Sequence, residues 1–311
     1  MSRFELYAPL YQGQRRTFAW ATVVLAAVAL YAVPWIANHL LVFIGLRASA
    51  ADGVWQDNIL ALFVAGLVLV ALWVWLKRRE HRRLDDIGLA RPWSRTFWPG
   101  FLLGAVLVAV VAGAGLYTGF YDFNGPGAWY DHLTPVWLIA VPLAIAGSII
   151  QVVTLEALFR GWMLQTMAAR WGGFLAVLIS SLVFVLSQAG DPRPSPEAGL
   201  CALNLFLFAW YFSLSAIRDD GLWGVIGTHA ALVLIAGLGL GLNLDGNHLN
   251  VTPMIINLSP HDGAPSWLSG GAFGPDGSAL MTVLALACVL WRLLRDRRPR
   301  RRVRHEDYDD E

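Results

Sequence analysis

The sequence predicts an all-α fold, a polytopic membrane bundle of about eight transmembrane helices. Composition is the first reason. Of 311 residues, 57% are hydrophobic and 14% charged, whereas soluble domains carry roughly 25% charged residues. Mean hydropathy is +0.53. Clustering is the second reason, because the apolar residues gather into runs near the ~20 residues a spanning helix needs. The third is an alternation of basic and non-basic connections between those runs.

Taken in order, the spans fall near 17–38, 59–76, 97–120, 136–158, 173–189, 200–217, 222–242 and 279–294. Pro34 is expected to kink the first, with His39 to Leu46 as a separate interfacial turn. The first apolar run, Thr17 to Leu46, greatly exceeds a signal-peptide h-region of about 7–15 residues, so it is expected to remain in the mature chain. The last span is short and can recruit Gly271 to Ser278. The chain reads as a segment 1–16, one membrane domain 17–295 and a charged tail 296–311, without a soluble domain or internal repeat.

Arg15 and Arg16 precede the first span, and Lys77, Arg78, Arg79, Arg82, Arg83, Arg91 and Arg95 fill the second connection. Arg160 and Arg170 follow the fourth span, and Arg218 follows the sixth. Eight Arg lie between Arg292 and Arg304. The connections between these carry few basic residues, and 243–278 carries none. By the positive-inside rule, both ends are expected in the cytoplasm, with the chain in the cell (inner) membrane. The fifteen Trp suit the two interfaces. Net charge is +1, which argues against a nucleic-acid partner. The Arg-rich tail reads as a solvated stop-transfer segment, or as a contact with anionic lipid. Cys201 and Cys288 lie in apolar runs and read as packing residues.

Ionisable side chains in hydrocarbon are costly, so each one present is a candidate for function or for holding helices together. Glu156 and Arg160, at the inner end of the fourth span, share a helical face at i,i+4 spacing. Gly161 would allow another helix to approach. His229 lies in the seventh span and Gln188 late in the fifth. Each also has a structural reading: a packing ion pair, a hydrogen-bonded core histidine and an interhelical amide.

The segment Thr154-Leu155-Glu156-Ala157-Leu158-Phe159-Arg160-Gly161 resembles the first signature of the CPBP family, the CAAX-protease and bacteriocin-processing (Abi) intramembrane proteases. That signature is a Glu-Glu pair, three residues and Arg. Phe184 to Gln188 is similar to the second signature, Phe, three residues and His. Gly221 to His229 leads into a likeness of the third, His, three residues and Asn or Asp. Arg82 to Leu89, with its Asp-Asp-Ile-Gly-Leu run, and the glycine-rich Gly270 to Ser278 extend the resemblance over roughly 75–295.

The resemblance implies a family chemistry of peptide hydrolysis. A carboxylate takes a proton from water, His and carboxylate ligands hold zinc, and an amide donates to the oxyanion. It also implies where this chain departs. Leu155 replaces the first Glu, Gln188 replaces the second-signature His, and Val233 replaces the third-signature Asn. Glu156, Arg160 and His229 remain as catalytic-site candidates, with Glu156 and His229 as the possible metal ligands. Glu156 sits about 100° round the helix from Leu155. Ser187 and Asp191 are possible substitutes near Gln188.

The expected function is therefore a CPBP-family homologue with lost or much reduced peptidase activity. It would keep a cavity between the fourth, fifth and seventh spans for a hydrophobic or membrane-anchored peptide or protein. It would carry no cofactor, or zinc if active. The alternatives are an active intramembrane metalloendopeptidase using Glu156 and His229, and a transporter or lipid-binding scaffold in the bilayer.

Overall fold

The computed structural model describes residues 17–45, 54–90, 92–131, 137–188, 195–246 and 253–295. Among these, six helices are long and apolar enough to cross a membrane and two more are apolar but shorter. In chain order they are α1 (Ala19–Phe43), α2 (Leu60–Glu80), α3 (Ser94–Thr118), α4 (Leu138–Trp171), α5 (Gly173–Gln188), α6 (Pro196–Asp219), α7 (Trp223–Gly239) and α8 (Ala279–Arg295). The expected segments are helical and in the expected order, six of them as candidate spans and two as shorter apolar helices, and the chain is a multi-pass helical membrane protein. The segment 1–16, the tail 296–311 and Asp191 lie outside the described residues.

Several boundaries differ from expectation. α1 does not stop for an interfacial turn and runs on through His39 to Phe43. It accommodates Pro34 with a wide π-helical turn at Val28–Ala32, because the Pro ring would collide with the carbonyl of Leu30 in a regular α-helix. α4 continues well past Arg160 to Trp171 through a second π-helical stretch, Ala157–Met163. Glu156 and Arg160 therefore lie inside a long helix rather than at its end. Gly172, at φ +83°, separates α4 from α5. The 3₁₀ segment Gly271–Gly277 leads directly into α8.

The connections also contain a small sheet that the helical reading missed. β1 (Tyr121–Pro126) pairs antiparallel with β2 (Ile256–Pro260), with an irregularity between Phe123 and Gly125. It lies at the ends of α3 and α7 opposite the basic connections. The Tyr121 hydroxyl donates to the Ser269 carbonyl at 3.0 Å. Burial pushes the Tyr121 phenol up, and Asp276 adds to the shift.

Helix pairing follows small residues and a buried polar knot. α3 packs chiefly on α7, α2 on α4, and α6 on α5 and α8. Glu80, buried at the end of α2, accepts from the Thr17 hydroxyl at 2.5 Å, the Thr17 amide at 3.2 Å and the Trp162 indole at 2.9 Å. Arg82 pairs with Glu80 at 3.3 Å and reaches Gln165 and the Asp86 carbonyl. These bonds tie the start of α1 and the end of α2 to α4. The Asp-Asp-Ile-Gly-Leu run also has a structural task. The Leu222 amide donates to the Gly88 carbonyl at 2.9 Å and the Trp223 indole to the Ala90 carbonyl at 2.8 Å. A Cβ at Gly161 would meet the Ile87 carbonyl at 2.8 Å. The nearest neighbour of Gly161 is thus this basic connection, with the Leu222 side chain at the start of α7 next, at 3.2 Å.

Candidate functional site

Glu156 is the hub of a buried ionic cluster between α4 and α7. Its Oε1 lies 3.3 Å from Arg160 Nη1, one helical turn on, and 2.7 Å from His229 Nδ1. The side chain of Glu156 is 0% exposed, that of Arg160 1% and that of His229 12%. An isolated carboxylate or guanidinium at such depth would be strongly disfavoured, and mutual pairing makes the burial tolerable. Arg160 is further enclosed by rings: Phe184 of α5 at 4.2 Å, Phe212 of α6 at 5.6 Å and Phe159 at 5.8 Å from its guanidinium carbon. Phe212 also stacks on the His229 ring at 5.5 Å. The cluster therefore touches four helices, α4, α5, α6 and α7.

The three retained residues come together, and the three replaced positions lie around them. Leu155 is buried in the apolar core. Val233 is half-buried one turn after His229 and packs against the same core. The Ser187 hydroxyl donates to the Phe184 carbonyl at 2.7 Å, a helix back-bond that occupies it.

Gln188 points to something the sequence reading missed. Its side chain hydrogen-bonds Asp245, beyond α7, and Asp245 lies against Asp276, just before α8. Burial holds the Asp245 carboxyl well above the usual carboxylate range, and the adjacent Asp276 raises it further. Cys201 Sγ approaches Asp245 Oδ1 at 4.0 Å. Asp276 also interacts electrostatically with His229. Asp245, Asp276 and Gln188 thus form a second buried polar group, electrostatically linked to His229 through Asp276. The available signal was two acids, Asp245 and Asp276, in a connection without Lys or Arg. Their pairing brings the two ends of that connection together, which the sequence pattern does not record.

As a metal centre, the donor set does not fit. Among the described residues, no group of three or more His, Cys, Asp or Glu could hold an ion. Catalytic zinc usually takes three protein ligands. Here His229 and Glu156 are joined to each other, and Gln188 is a poor ligand.

Residues 135–235 match the family model for type II CAAX prenyl endopeptidase Rce1-like proteins. This membrane core is similar to the CAAX-type endopeptidases. The Rce1-like segment runs from the start of α4 to the end of the α7 signature. It contains Leu155, Glu156, Arg160, Gln188, His229 and Val233, and leaves Asp245 and Asp276 outside. It is narrower than the 75–295 over which the motifs extend. No curated protein matches the chain.

Proposed function

We propose that this CAAX-protease-type membrane protein has lost most or all of its peptidase activity. On this reading it keeps a cavity between α4, α5 and α7 for a hydrophobic or membrane-anchored peptide or protein. The observation that carries the reading is the commitment of Glu156, which is fully buried and engaged by Arg160 and His229 through one oxygen. A base must reach the proton it removes, and a carboxylate held in this way serves packing first. The replaced positions point the same way. Leu155 takes no proton, Gln188 donates a hydrogen bond but is no base, and Val233 donates nothing to an oxyanion. The alternation of basic connections supports both ends in the cytoplasm and residence in the inner membrane.

The test is metal content and peptidase activity of the purified protein in detergent, beside the triple variant Leu155→Glu, Gln188→His and Val233→Asn. A metal-free, inert native protein and a variant that gains metal or cleavage would identify a disarmed scaffold. Cleavage by the native protein would sink the proposal.

A second reading, an active endopeptidase using Glu156 and His229, has one observation in its favour. Glu156 Oε2 is buried and accepts no hydrogen bond from the protein. That leaves an acceptor beside His229 for a water. On this reading Glu156→Gln abolishes a measurable native cleavage; cleavage that survives Glu156→Gln excludes it.

A further inference from the structure

The face that carries the basic connections holds a crevice of about 280 Å³ at the ends of α3, α6, α7 and α8. Arg95, Arg292 and Asp219 line it together with Ser215 and Thr228. Asp219 accepts from Arg292 at 3.1 and 3.4 Å, so one carboxylate offsets one of the two guanidinium groups. Arg95 is exposed and leaves the crevice with one positive charge. Two buried donors of the crevice have no partner on the protein beyond Tyr211. The Ser215 hydroxyl, in a residue 2% exposed, has no partner other than Tyr211. The buried Nε of Arg292 also lacks a partner. Such buried donors without acceptors are costly unless a ligand or water meets them.

The depth of the crevice selects the anion. It lies where four helices end, beside Trp291, and tryptophan marks the headgroup level. On two of the helices that line it, Leu102 and Val106 of α3 and Leu290 of α8 are exposed, as contact with acyl chains requires. We propose that this crevice binds the phosphate of an anionic phospholipid headgroup, with Arg95 at the rim and Arg292 and Ser215 within. A net positive crevice favours an anionic headgroup over a zwitterionic one. Thr228 lies in the crevice next in sequence to His229, so an occupant touches the helix that carries the ionic cluster.

The experiment is lipid binding to the full chain in detergent, read by native mass spectrometry and by the rise in melting temperature. The probes are phosphatidylglycerol, phosphatidylcholine and inorganic phosphate. The expected result is preferential binding of phosphatidylglycerol, weakened about tenfold by Arg95→Gln. Arg78→Gln, which removes an exposed charge from the same face outside the crevice, should leave the affinity within about twofold. Equal binding of the two lipids would overturn the proposal. So would an equal loss in Arg78→Gln, which would indicate diffuse attraction. Inorganic phosphate binding as tightly as the lipid would assign the crevice to a free ion instead.

Discussion

Glu156 shows how one residue can change its meaning between sequence and structure. In the sequence it is the survivor of a Glu pair. In the structure it is the acceptor shared by Arg160 and His229, 73 residues apart from the latter. Removing one member of a buried ion pair typically costs about 3–5 kcal/mol, because the other charge stays buried without compensation. Glu156→Ala is therefore expected to lower stability in detergent by about that amount, with Glu156→Gln less severe. A loss below about 1 kcal/mol in a chemical or thermal melt would contradict the packing role. Asp245 carries a second prediction at this scale. Its carboxyl is half-buried against Asp276, Cys201 and Gln188 and holds its proton above the usual carboxylate range. Above the unfolded value, near 4, the folded state then binds more protons than the unfolded chain. Stability falls as pH rises through the window between the two values, and below that window the penalty vanishes. Asp245→Asn should flatten this dependence, with its advantage over the native protein growing as pH rises above about 4. Parallel melting curves across that range would refute the assignment.

The α3–α7 pair shows what determines packing between elements. Gly100 and Gly104 form a small-xxx-small pair on α3, the type of surface that lets membrane helices approach closely. A Cβ at Gly100 would lie 2.0 Å from the Gly224 carbonyl oxygen, and one at Gly104 2.4 Å from that of Thr228. On the facing helix, a Cβ at Gly227 would lie 2.2 Å from the Phe97 carbonyl oxygen. These are backbone contacts and cannot yield by a change of rotamer. Gly227→Ala should cost about 1–3 kcal/mol and also disturb His229, two residues on. Gly113→Ala, on the same α3 but with nothing near its Cβ, should be neutral or stabilising by about 0.5–1 kcal/mol. Equal thermal stability of the two variants would mean that the seam is looser than its geometry indicates. The glycines were visible in the sequence, but their partners were not. Gly161 illustrates the difference, since its neighbour is the Ile87 carbonyl of a connection.

At the scale of the molecule, the exposed side chains are those of a protein that meets lipid: Trp20, Leu102, Leu138 and Leu186 are all exposed. The hydrogen bonds from Leu222 to Gly88 and from Arg292 to Asp219 bring the connections after α2 and α6 and the end of α8 to one face. The paired strands lie at the other. Alkaline phosphatase fused after His81 should therefore be inactive, and fused after Gly125 active. The same activity at both positions would break the expected alternation of sides.

The sequence by itself determined which segments cross the membrane, their order and the likeness to CAAX-type proteases. Transfer into hydrocarbon is settled span by span from local composition, and signatures such as Glu156 to Arg160 lie within one helix. It also showed the replacements at 155, 188 and 233, because an amino-acid identity needs no fold to be read. Only the tertiary structure decided what those residues meet. It closed Glu156 onto His229, carried α4 beyond Arg160, paired β1 with β2 and set Asp245 against Asp276 beside Gln188. Each of these joins side chains or strands from separate segments, or depends on packing that hydropathy along one segment does not record. The physical reason is that membrane insertion is a sum over neighbouring residues, whereas a buried polar site is a product of distant ones brought within hydrogen-bonding range.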